Sequence, residues 1–143
     1  MEHKVWCSVD PGVTSGVVVW NVTDKLEVHG AWEIPYSAGL SSVVQAAYAY
    51  GASLLVFEDF VIPHRCHGPT EAKKTIEVIG AIKLFCRQRS ITCKAIMPSQ
   101  TKRIDDATLR RYGITTKGVH ARDACRIGLF YWLRREKKHG NAC

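Results

Sequence analysis

The sequence predicts an α/β fold built on a mixed five-stranded sheet with helices on its faces. Three observations predict it. Three β-rich runs crowd the first 34 residues, strand-like and helix-period segments alternate after them, and 143 residues suffice for one hydrophobic core but not for two ordinary domains. Closely spaced runs joined by turns make an antiparallel meander, whereas strands separated by helices return to the sheet in parallel. One domain over residues 1–143 is therefore expected, with disorder confined to the last few residues, around KKHGNAC.

In chain order, residues 4–10 (KVWCSVD) form a first strand that stops at Pro11-Gly12, and residues 16–22 (GVVVWNV) form a second. Residues 25–34 alternate as a third strand after the polar turn at Thr23-Asp24. Leu40, Val43, Val44, Ala47 and Tyr48 then share one helical face, and the helix ends at Gly51. Residues 53–58 (SLLVFE) are a short continuous apolar run, the pattern of a strand buried on both faces. A long helix over 71–89 turns Val78, Ile79, Ile82, Phe85 and Cys86 inward, and residues 91–97 form the fifth strand. Pro98-Ser99 breaks the pattern, Asp105 caps a short helix ending at Tyr112-Gly113, and a last helix covers 120–137. Trp6, Trp20 and Trp32 fall in strands and are expected to pack. Gly80, in mid-helix, costs about 1 kcal/mol relative to alanine and is read as a close helix contact across a dimer.

Charge divides the chain. Residues 1–62 carry two bases and seven acids, whereas residues 63–143 carry eighteen bases and six acids, so the net +7 belongs to the second half. Such a half attracts a polyanion, and phosphate is the commonest one in a cell. With 46% hydrophobic and 23% charged residues and no low-complexity tract, the chain is neither disordered nor fibrous. There is no run of eighteen apolar residues, and MEHK leads straight into a strand, so a cytoplasmic protein without a membrane association is expected, in the host cytosol if viral. Six cysteines without a CxxC pair read as buried thiols, not disulfides.

The acids sit at element boundaries. Asp10 ends the first strand, Glu58 ends the fourth, and Asp123 lies in the first turns of the last helix. If strands one and four are parallel neighbours, their carboxylates meet at the edge where α/β sheets bind ligands. Three carboxylates brought together stay ionised near neutrality only with a cation among them, and Mg²⁺, a hard ion that keeps waters and accepts phosphate oxygens, suits the set. Paired metals of this kind activate water on one side of a phosphate and steady the leaving oxygen on the other. His120, three residues before Asp123, shares its helical face and can serve as ligand or proton carrier.

The stretches VDPGVTSGVVVW, LLVFED, MPSQTK and HARDAC, in this order and spacing, resemble RuvC-type Holliday junction resolvases, especially the short bacteriophage-like members. The resemblance runs from Val5 to about Leu133. It implies the ribonuclease H-like fold and a dimeric, Mg²⁺-dependent endonuclease, with Mn²⁺ substituting, that nicks four-way DNA junctions symmetrically. It implies that Asp10, Glu58 and Asp123 are metal ligands, that His120 joins them, and that Lys102 is a basic residue of the catalytic site. Phosphate and base contacts are then expected from Phe60, Arg65, Lys73, Lys74, Lys83, Arg87, Lys102, Arg103 and Arg122. The chain departs from the resemblance in the loop holding Pro63, His64, Arg65, Cys66 and His67, which aligns with nothing in those enzymes.

Plainer readings stand beside these. Asp10 before Pro-Gly suits an Asx turn, Asp59 suits a solvated acid on the other side of the strand, and Asp105 and Asp106 suit a helix start. His64, Cys66 and His67 lack the further spaced ligand of structural zinc. A nuclease acting on flaps, forks or hybrids, and a branch-binding module that does not cut, remain alternatives. A phosphotransferase does not, because the chain is too short for two lobes.

Overall fold

The computed structural model describes residues 4–60 and 70–140. Its strands are β1 (Lys4–Asp10), β2 (Thr14–Val22), β3 (Leu26–Pro35), β4 (Leu54–Glu58) and β5 (Thr92–Ile96). Its helices are α1 (Leu40–Ala49), α2 (Thr70–Arg89), α3 (Pro98–Thr101), α4 (Asp106–Arg111) and α5 (Val119–Gly140). The sheet order is β3-β2-β1-β4-β5. The meander β1–β2–β3 is antiparallel, and β4 and β5 join β1 in parallel, as the alternation of strands and helices predicts.

Three local features depart from the sequence reading. Pro98 begins a helical turn instead of merely breaking the pattern, because its fixed φ suits a first helical position and Gln100 Oε1 accepts the Met97 N–H at 3.0 Å. Tyr36–Ala38 forms a 3₁₀ turn between β3 and α1. Strand β2 also begins two residues earlier than expected, since Thr14 pairs with Pro35.

Alternation along the strands splits the core between the two faces of the sheet. Trp6, Val18, Trp20 and Val56 face α5, where they meet Ala124, Cys125, Ile127 and Leu129. Cys7, Val9, Val17, Val19, Leu55 and Phe57 face Val43, Val44 and Ala47 of α1 and Val78, Ile79, Ile82 and Cys86 of α2. Phe85, expected inward, is only half-buried. Trp32 is half-buried on the α1–α2 face. Cys7, Cys86, Cys93 and Cys125 are free, and burial pushes the Cys7 thiol up to about 12 and that of Cys125 up to about 11.

Helix α5 lies hard against β2, and two glycines make room for it. A Cβ on Gly16 would overlap the His120 backbone carbonyl, and one on Gly128 would strike the Trp20 indole. The same contact is tied by a buried chain of hydrogen bonds. Trp20 Nε1 donates to Ser8 Oγ at 2.8 Å, and Ser8 Oγ donates to the Ala124 carbonyl at 2.7 Å. Among the described residues Gly80 packs against no other helix, as nothing lies within 4 Å of where its Cβ would be. Among the described residues no helix is long and apolar enough to cross a membrane.

Ser8→Ala strands the buried Trp20 N–H, so equilibrium urea unfolding should show a loss of about 1–3 kcal/mol without a change of fold.

Candidate functional site

The register of the parallel pair places the first two acids. Val9 of β1 lies beside Phe57 of β4, so Asp10 and Glu58, each one residue further on, emerge side by side at the C-terminal edge of the sheet. Gly16 pairs with Asp10 across the hairpin, and its missing side chain lets the first turns of α5 settle over this edge. That brings Asp123 to the same place. Asp10, Glu58 and Asp123 line one cleft of about 640 Å³, whose far wall is built by α3 and α4 through Pro98, Thr101, Lys102, Ile104, Asp105 and Asp106.

The electrostatics of the cleft are those of acids short of positive charge. The Asp10 carboxyl, 20% exposed, is pushed up to about 7, first by burial and then by the negative charges of Asp123 and Glu58. His120 reaches over it, with Nδ1 3.9 Å from Asp10 Oδ2. Glu58 Oε2 accepts a 2.5 Å hydrogen bond from the Thr101 hydroxyl. Asp123 Oδ1 accepts from Arg126 Nε at 3.2 Å. Among the described residues no three Asp, Glu, His or Cys side chains converge tightly enough to form a metal cage unaided. The donors are nevertheless hard oxygens, crowded and buried enough that Asp10 keeps its proton to about 7, which fits a hard cation that keeps waters and shares its shell with phosphate.

The expected DNA contacts fall in two groups. Lys102 lines the cleft, Arg103 next to it is exposed, and Arg122 lies 3.9 Å from Asp106. Lys73, Lys74, Lys83 and Arg87 ride on α2, which packs on the opposite face of the sheet from α5. Lys74 sits 5.2 Å above the Tyr36 ring and Lys83 5.9 Å from the centre of the Phe57 ring. Phe60 is half-buried against the α1–α2 side of the core, with its N–H donating to Asp59 Oδ1 at 2.9 Å. Arg65 and the rest of the His64–His67 stretch lie outside the described residues.

Asp105 caps α4 as its position predicts, accepting from Thr108 N at 2.8 Å and Thr108 Oγ at 2.6 Å, and these bonds hold its carboxyl below the usual range. Two polar lining residues lie outside those the sequence singles out, Thr101 and Arg126. Thr101 gives no local signal because Pro98 marks a strand end and a helix start alike. Arg126 stands three residues beyond Asp123, the same spacing that singled out His120.

Neither a protein-family model nor a curated protein sequence matches the chain. Its fold does match solved structures. Thermus thermophilus RuvC in complex with a Holliday junction substrate superposes with a TM-score of 0.76 at 16% identity, covering 94% of this chain and 96% of that one. The fowlpox virus resolvase in complex with Holliday junction DNA gives 0.61 at 15% identity, covering 88% and 97%. The yeast mitochondrial Holliday junction resolvase Ydc2 gives 0.58 at 8% identity, covering 96% and 84%. The chain therefore has the ribonuclease H-like fold of these resolvases.

The unfolded chain releases the Asp10 proton near 3.8, and the folded chain only near 7. Stability associated with this group is complete below about pH 4 and is lost as pH rises through about 7. In metal-free buffer at pH 8, Asp10→Asn should therefore stabilise the fold by about 2–4 kcal/mol, with the gain vanishing at pH 4. Thermal melts of both proteins across that range check it.

Proposed function

We propose that the protein is a Mg²⁺-dependent DNA endonuclease that resolves four-way junctions by paired, symmetric nicks as a cytoplasmic homodimer. The observation that carries this reading is the gathering of Asp10, Glu58 and Asp123 on one cleft, with Asp10 pushed up to about 7 by burial and its neighbours. The similarity to two structures that hold junction DNA supports the choice of substrate.

In this reading Asp10, Glu58 and Asp123 hold Mg²⁺, or Mn²⁺ in its place, with His120 at the rim. When bound, the ion supplies Lewis acidity at the scissile phosphate and a water acidic enough to attack it. The chain's own side chains do the rest. Thr101 fixes one oxygen of Glu58 through its 2.5 Å hydrogen bond. His120, whose Nδ1 lies 3.9 Å from Asp10, takes or passes the proton of the attacking water. Lys102, Arg103 and Arg122 neutralise phosphates around the cleft, while Phe60, Arg65, Lys73, Lys74, Lys83 and Arg87 contact DNA beyond it. Displacement of the 3′ oxygen leaves 5′-phosphate and 3′-hydroxyl ends.

Two symmetric nicks need two copies of the cleft, and closed two-fold pairs are the commonest oligomers. Helix α2 offers a surface for pairing. Ile76 (41% exposed) and Leu84 (56% exposed) flank Gly80 at four-residue spacing, an apolar strip where a second helix can come close.

Asp10→Asn should lower Mg²⁺-dependent nicking of a labelled synthetic four-way junction by roughly 10²-fold or more while junction binding at fixed salt persists or tightens. A panel of flaps, forks and hybrids run beside it tests the substrate, and preference for any of these over the junction contradicts the reading. Leu84→Arg should convert the dimer to monomer by light scattering and uncouple the two nicks, leaving single-nicked junctions.

A further inference from the structure

Among the described residues Arg126 is the one basic side chain lining the cleft that is mostly buried, its side chain 19% exposed. All three of its nitrogen positions are engaged. Nε donates to Asp123 Oδ1 at 3.2 Å, Nη1 donates to the Ile104 carbonyl at 3.0 Å, and Nη2 donates to Asp106 Oδ1. One guanidinium thus ties α5 to the segment between α3 and α4 and to the first turn of α4. These are the two walls of the cleft. The Asp123 side chain is 44% exposed and lines the cleft beside Asp10 and Glu58.

We propose that Arg126 is a positioning residue for the cation site. It clamps one oxygen of Asp123 so that the other is presented to the cleft, and it takes its own orientation from Asp106. This inference rests on the reading of the cleft as a cation site. The planar fork explains why arginine is required. Three bonds in three fixed directions lock the rotamer of Asp123 and the distance between the walls, whereas a lysine ammonium carries the charge on a flexible stem and cannot reproduce that geometry. A carboxylate held in this way loses less freedom on binding a cation, and partners of metal ligands commonly alter affinity by about 10–100-fold when removed. The clamp also gives Asp106 a function that its place at a helix start does not explain. Asp105 already caps α4, and the bond from Arg126 comes first among the causes that hold the Asp106 carboxyl below its usual range.

Isothermal titration of Mn²⁺ into the DNA-free protein tests the clamp without reference to cleavage. Arg126→Gln and Arg126→Lys should each weaken Mn²⁺ binding about tenfold or more, so that retained charge alone does not rescue. Asp106→Asn, at a half-exposed position, should weaken it in the same direction by several-fold. The double variant Asp106→Asn/Arg126→Gln should bind no worse than Arg126→Gln alone, since the two act through one contact. A purely structural arginine would lower thermal stability without this dependence. Variants that bind Mn²⁺ within twofold of the unmodified protein overturn the proposal, as does full rescue by lysine or a double variant whose losses multiply. If Arg126→Gln does not fold, Asp106→Asn decides by itself, unchanged affinity counting against the clamp. If the unmodified protein takes up no Mn²⁺, the cation site itself is rejected, a result distinct from normal uptake that ignores Arg126.

Discussion

Burial of one carboxylate, Asp10, beside two others at one sheet edge is the constraint on which the rest of the site depends. Parallel pairing of β1 with β4 forces Asp10 and Glu58 out side by side, and the seating of α5 on Gly16 adds Asp123. Burial, and after it the charges of Asp123 and Glu58, raises the Asp10 carboxyl to about 7. A fold that sought stability alone would place an apolar side chain there. The charge is tolerated because the surrounding core is secure: the Trp20–Ser8–Ala124 chain and the close approach of Gly128 to Trp20 hold α5 against the sheet. Stability made in the middle of the sheet thus supports strain at its edge, a common arrangement at functional sites.

The division of charge along the sequence takes on spatial meaning in this fold. The acid-rich first half supplies the meander and the two strand-end acids, while the basic second half supplies the helices and turns around them. Lys102, Arg103, Arg122 and Arg126 surround or line the cleft, and the bases of α2 lie across the sheet. An acidic centre among bases is the charge arrangement that draws in a polyanion while reserving the centre for a cation.

Much of this was legible in the residues. The run SLLVFE reads as a strand buried on both faces because it has no polar alternation, and β4 is buried on both faces in the centre of the parallel part. Helix α2 was legible from its apolar spacing, apart from Phe85, which sits at the margin of the buried stripe. The short helices were harder, since four to six residues carry too little periodicity. Pro98 starts a helix or ends a strand with the same fixed φ, and the bond from the Met97 N–H to the Gln100 side-chain oxygen favours the former. Thr101 and Arg126 were missed for a related reason. Their importance comes from partners distant in the chain, Glu58 and Asp106, and local spacing does not report such contacts. Gly80 in mid-helix signals close packing, yet it meets no side chain among the described residues of the single chain.

The most direct measurement of the central claim is a crystal structure of the protein soaked in Mn²⁺, with the ion located by its anomalous scattering. The account predicts a peak in the cleft with oxygens of Asp10, Glu58 and Asp123 at about 2.1 Å, the range of a hard octahedral ion. A cleft free of anomalous signal at saturating Mn²⁺, or an ion held elsewhere with these carboxylates turned to solvent, would contradict it.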